Sequence, residues 1–181
     1  MLFVCSGVNV EKYGNKSLYG WIREEHNRGV AVGGLCTGAH ILASAGLLSN
    51  RRCAIHWENL PGFAEAFPDI EVTGGLFEID RDRFSSAGGT SPIDMVLAMI
   101  ASQHGPDLAA DTAEQVLHSP IRHHSEHQRM SLPARIGARH PKLVGIIEQM
   151  EQNLEEPLSP SILAKEAGLS TRQLERLFRR Y

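Results

Sequence analysis

The chain has 181 residues, 42% of them apolar, which allows one domain of ordinary size plus a small one and supports a real core. Its net charge of −3 excludes a global positive field for holding nucleic acid, so any such site must be a local patch. Three widely spaced cysteines, Cys5, Cys36 and Cys53, with no C-x-x-C, argue against a disulfide framework or a zinc knuckle and for the reduced thiols of a cytoplasmic protein. The first residues lack the basic and apolar regions of a signal peptide, and no apolar stretch approaches the roughly 20 residues that span a bilayer, so no membrane partner is expected.

Up to residue 117 strands alternate with helices. "LFVCS" is a continuously apolar strand. "KSLYGWIREEHNRG" is a helix with Leu18, Trp21 and Ile22 on one face and Gly29 as its stop. "VAVGGLC" reads as a buried strand, "GAHILASAGLL" as a helix, "CAIHW" as a strand and "ENLPGFAEAF" as a short helix. "EVTGGLFEIDRDRFSSA" reads as strands broken at Gly74-Gly75 and Asp80-Arg81-Asp82. "SPIDMVLAMIASQHG" is a helix with Pro92 at its first position and a stripe of Ile93, Val96, Leu97 and Ile100; "PDLAADTAEQVLH" follows as another. This alternation predicts an α/β fold with a parallel sheet covered on both faces.

Residues 118–139, "HSPIRHHSEHQRMSLPARIGAR", are polar, basic and punctuated by Pro120, Pro133 and Gly137, and read as an interdomain linker. His123, His124 and His127 within it lack the Cys or Asp that would complete a tetrahedral metal set, so no metal site is assigned.

From residue 140 the pattern is all-helical. Leu143, Ile147, Met150 and Leu154 form one stripe. In "LSPSILAKEAG", Ser159 is an N-cap, Pro160 the first helical residue and Gly168 the stop; in "STRQ", Ser170 and Gln173 form a capping box. Two short helices joined by a Gly-containing turn make a helix-turn-helix, with Leu174, Leu177, Phe178 and Tyr181 on the inner face of the second. Residues 170–181 hold four Arg against one Glu, a net of +3, supplying the local patch that the whole chain lacks. Arg172, Gln173, Arg176 and Arg179 would face base edges, where Arg suits guanine and Gln adenine, and Ser170, Thr171 and Arg180 would contact phosphates.

In the front region Cys36 stands at a sharp strand-to-helix turn before Gly38-Ala39, a nucleophile-elbow setting in which a helix N-terminus favours a thiolate or an anion. A second such turn offers Gly88, Gly89 and Thr90, and backbone N–H groups from both turns would converge on one ligand. Cys36, Thr37, Gly88, Gly89, Thr90 and His56 are therefore the candidate ligand contacts. His56 and Trp57 also fit plain packing roles, and His40 fits a satisfied core histidine.

"LSPSILAKEAGLSTRQLERLFRRY" closely resembles the first helix-turn-helix of AraC-type transcriptional regulators. "LCTGAHILASAGLL", "RRCAIHW" and "SAGGTSPIDMVLAMIASQHG", in this order, resemble the ThiJ/PfpI, class I glutamine-amidotransferase-like domain fused to such readers. The resemblance implies an incomplete parallel-sheet sandwich with flavodoxin-like layering over residues 1–117, lacking the family's first strands. The 118–139 linker then leads to an all-α helix-turn-helix segment over 140–181, without the family's second unit. It implies a DNA-binding transcription factor that answers a small metabolite, an amine or amino-acid derivative in many members. The expected partners are double-stranded operator DNA, a small-molecule effector and a second copy in a homodimer, with no cofactor. The alternative is a ThiJ/PfpI-type cysteine hydrolase or glyoxalase-like enzyme using Cys36. Against it, Thr37 stands where amidases and proteases of that superfamily commonly have His.

Overall fold

The structure, a computed structural model, describes residues 1–137 and 140–181 and divides into two compact units, Met1–Gln128 and Arg129–Tyr181. In the first unit, β1 (Leu2–Ser6) leads through a 3-10 turn (Val10–Lys12) to α1 (Lys16–Asn27), then β2 (Val32–Cys36), α2 (Gly38–Ser44), β3 (Arg52–Ala54), α3 (Leu60–Ala66) and β4 (Glu71–Thr73). The hairpin β5 (Phe77–Asp80) and β6 (Arg83–Ser86) follows, then α4 (Ser91–His104) and α5 (Pro106–Gln115).

The main sheet has the order β1-β2-β6-β5. β1, β2 and β6 run parallel, whereas β5 is antiparallel to β6, with Asp80 opposite Arg83. The expected parallel sheet is present in β1, β2 and β6, and β5 adds an antiparallel edge strand, because the two-residue loop Arg81-Asp82 returns the chain antiparallel; Arg81 takes a φ of 60° to close it. β3 and β4 form a separate parallel pair.

Strand alternation builds two cores. Leu2, Val4 and Val32 face a cluster with Ile22 of α1, Leu42 of α2 and Phe63 of α3, while Phe3, Leu35 and Phe84 face Phe77 and Met95 of α4 on the other side. The stripe expected on α4 is rotated: Ile93 and Val96 are exposed, and Asp94, Met95 and Leu97 are buried. A polar residue at the centre of a buried face is invisible to a search for apolar periodicity. On α1, Ile22 is buried but Trp21 is exposed.

The segment expected as a solvated linker begins with residues that belong to the first unit, which extends to Gln128. Leu76 N donates to His124 O at 2.7 Å, and Gln128 Nε2 donates to Ile55 O and Gly75 O, both at 2.9 Å, so residues 118–128 form a strap on that unit.

The second unit contains α6 (Leu132–Ile136), within the expected linker, then α7 (Pro141–Gln152), α8 (Pro160–Glu166) and α9 (Thr171–Arg180). The last two residues of the expected linker, Ala138 and Arg139, lie outside the described residues. Ile146, Leu163, Ala164 and Leu174 form its core, with Leu158, Leu169 and Leu177 against them. The inner stripe of α7 is Leu143 and Ile146; Met150 and Leu154, expected there, are exposed.

Candidate functional site

Two surfaces, one on each unit, carry the chemistry. The first lies where the β2–α2 and β6–α4 turns meet. Cys36 holds a φ of 58°, the strained backbone of an elbow, and Gly38 follows so closely on β1 that a Cβ there would strike the Val4 carbonyl oxygen. Gly88 has a φ of 91°, and a Cβ on it would lie 2.6 Å from Cys36 Cβ and 2.9 Å from Cys36 Sγ. Only glycine lets the two turns touch.

Beside this contact is a cavity of about 220 Å³. Gly88, Gly89 and Thr90 form one wall and His56 and Trp57 another, so four of the six candidate residues line one cavity. Cys36 stands behind Gly88 and is not in the lining. Thr37 is turned away: it is buried, and its hydroxyl donates to Gly7 O at 2.6 Å, tying β1 to the elbow. No hydrogen bond joins Cys36 Sγ to an acid or base among the described residues. His56 Nδ1 accepts from the Glu58 amide at 3.4 Å. Cys53, the other inward thiol, is pushed up to about 12, chiefly by burial, with Glu78 adding to the rise and the Ser85 hydroxyl opposing it.

Two lining residues, Arg122 and Gln128, were missed, because they fall in the segment read as linker. Gln128 is held by the Ile55 and Gly75 carbonyls, and Arg122 by Asp94, which is fully buried on α4. Asp94 Oδ1 accepts from the Arg122 amide at 2.8 Å and faces His118 Nε2 at 2.7 Å; Oδ2 accepts from Arg122 Nε at 3.0 Å and Nη2 at 2.5 Å. Burial alone would raise this carboxyl, but the Arg122 amide, His118 and the guanidinium together outweigh it and hold Asp94 below the usual carboxylate range. Arg122 Nη2 also donates to Thr90 Oγ1 at 2.6 Å. Asp94 falls outside the apolar stripe read on this helix, so the sequence alone carried no signal for the pair. A larger cavity, about 550 Å³, lies beside β5 on another side of Arg122, where Arg52 and Glu78 of its lining pair with each other at 3.2 Å.

The second surface is α9. Ser170 Oγ accepts from Gln173 N at 3.3 Å and Gln173 Oε1 accepts from Ser170 N at 2.8 Å, the capping box read from sequence. Gln173 therefore has its carbonyl oxygen committed to the cap and only its NH₂ free for a base. Gly168, at a φ of 62°, turns the chain after α8, and Lys142 Nζ donates to its carbonyl oxygen at 3.3 Å. Leu174 is buried and Leu177 half-buried, whereas Phe178 and Tyr181, expected inside, are exposed. Thr171, Arg172, Arg176, Arg179 and Arg180 are all exposed, and the Arg180 guanidinium sits 5.7 Å from the Tyr181 ring centre.

The architecture is that of an α/β unit with a ThiJ/PfpI-like fold followed by a helix-turn-helix unit. The chain is a relative of helix-turn-helix transcriptional regulators. It is 44% identical to the HTH-type transcriptional regulator CdhR of Pseudomonas aeruginosa, over 99% of this chain and 53% of that protein. It is 38% identical to the HTH-type transcriptional regulator GlxA of Rhizobium meliloti, over 99% of this chain and 56% of that protein. The chain thus spans about half the length of these curated relatives. More distantly, it is 28% identical to the isonitrile hydratase of Pseudomonas putida, over 55% of this chain and 43% of that enzyme. Among solved structures it is similar to an AraC family transcriptional regulator from Pseudomonas putida: 32% identical, TM-score 0.51, over 56% of this chain and 54% of that one. A ThiJ/PfpI family protein from Pseudomonas syringae shares the fold at TM-score 0.53 and 21% identity, over 75% of this chain and 54% of that one. No family model matches the chain.

Proposed function

We propose that the chain is the sensing unit and the first DNA-reading helix-turn-helix of a transcription regulator that responds to a small metabolite and acts as a homodimer in the cytoplasm. The observation that carries this reading is α9: a separately capped helix, held to α8 by Leu174 and Leu177, that turns Arg172, Arg176 and Arg179 outward. Relatives of 38–44% identity over nearly the whole chain are named transcriptional regulators, which supports it. Arginine guanidiniums on an exposed helix suit the major groove, and the free ends of Thr171 and Arg180 suit the flanking phosphates. No helix of the described residues is long and apolar enough to cross a membrane.

The test is fluorescence anisotropy of the 181-residue chain against duplex DNA over a range of salt. Replacing Arg180 by Ala should flatten the plot of log affinity against log salt by about one unit, and replacing Arg176 by Ala should weaken binding to the preferred sequence by about 1–3 kcal/mol and relax specificity. An unchanged slope would remove the assignment of α9 as the reading helix.

A second reading, catalysis by Cys36, draws on the elbow geometry and on the isonitrile hydratase relative. We favour a non-catalytic front unit, because a thiol nucleophile needs a base within hydrogen-bond reach and none bonds Cys36 among the described residues. Cys36→Ser should leave the response to effector intact; turnover by the parent chain that disappears in Cys36→Ser would establish the enzyme instead.

A further inference from the structure

Taking the small cavity as the sensing site proposed above, we propose that it recognises a small carboxylate, and that Arg122 is the residue that binds it. The guanidinium is well placed for this. Nε and Nη2 are fixed on Asp94, and Nη2 also on Thr90 Oγ1, while Nη1 makes no hydrogen bond among the described residues. Arg122 lines the cavity with about a third of its side chain exposed. It is thus a donor whose rotamer is already ordered, which lowers the cost of binding an anion.

The wall opposite in sequence adds to the same preference. Gly88, Gly89 and Thr90 precede the 14-residue α4, and their amides donate no backbone hydrogen bond among the described residues; the space over Gly89 is open. Backbone N–H groups at the start of a long helix favour a negative group. Neither neighbouring acid opposes this. Asp94 is enclosed by four donors and does not line the cavity, and Glu58 is exposed, 3.7 Å from His56 Nδ1, and outside the lining.

Gln128 Nε2 is spent on two carbonyls, which fixes that side of the cavity. The volume of about 220 Å³, roughly seven waters at ~30 Å³ each, suits a small acid.

Thermal unfolding of the 181-residue chain tests this with four probes: L-lactate, propionate and their neutral amides, L-lactamide and propionamide. Each acid should raise the midpoint of the front unit by about 3–6 °C at roughly ten times its dissociation constant, and the amides not at all. Arg122→Ala should weaken lactate binding ~10-fold or more. Since Arg122 also anchors the strap, Thr90→Val serves as the second variant: it keeps the Asp94 pair and should weaken lactate several-fold, read as the ligand-induced shift above that variant's own ligand-free midpoint. Equal shifts from acid and amide, no shift from either acid, or undiminished binding in both variants would overturn the proposal. No probe contains DNA, so its failure leaves the role of α9 standing, and failure of the DNA test leaves this titration standing.

Discussion

The two units reach function by opposite routes. The surface of α9 is local: its cap, inner leucines and outward arginines all fall within residues 170–181, and one helical period places them. The cavity of the front unit is assembled from residues 56–57, 76, 87–91, 122 and 128, brought together by a strand-to-helix turn, a strap and one buried carboxylate. A local device survives changes elsewhere in the chain, whereas a device drawn from five segments depends on the groups that pin them. The difference is therefore one of sensitivity to single substitutions far from the site.

The largest effect should come from the pin itself. Asp94→Ala leaves Arg122 and His118 without their partner and should cost the front unit about 3–5 kcal/mol in urea unfolding, with loss of probe binding. The same carboxyl predicts a pH dependence. Its folded pKa is depressed, so its contribution is present above the unfolded value and is lost as pH falls through the folded value, below the usual carboxylate range. Acid unfolding of an Asp94→Asn variant should be correspondingly less steep than that of the parent. On the other unit, Leu174→Ala opens the small core between α8 and α9 and should cost about 2–5 kcal/mol, read as lost helicity of residues 140–181 with the front unit unchanged. Ser170→Ala removes one half of the capping box and should cost only ~1 kcal/mol, with Ser170→Gly milder still.

The legibility of the sequence follows the same division. Pro160, Gly168, Ser170 and Gln173 announce their helix ends because capping is a matter of three or four consecutive residues. Periodicity found α4 and α7 but misplaced their buried faces, since Asp94 is buried by pairing and Ile93 and Val96 are exposed. Phe178 and Tyr181 were placed inside on hydrophobicity alone, and the core beside α9 is too small to reach them. In the front unit, the glycines and Cys36 revealed the two turns, because positive φ and close backbone approach restrict residue type. Arg122 and Gln128 were hidden because a polar strap and a polar linker have the same composition; only the acceptor at Asp94 distinguishes them.

The claim that most of this rests on is that the exposed face of α9 lies against DNA. Amide chemical-shift mapping of the chain, titrated with duplex DNA at low salt, tests it directly. The largest perturbations should fall on residues 170–180, led by Thr171, Arg172 and Arg176, with Leu174 and the strands of the front unit nearly still. Perturbations centred on α7 or the front unit, with α9 unmoved, would contradict it.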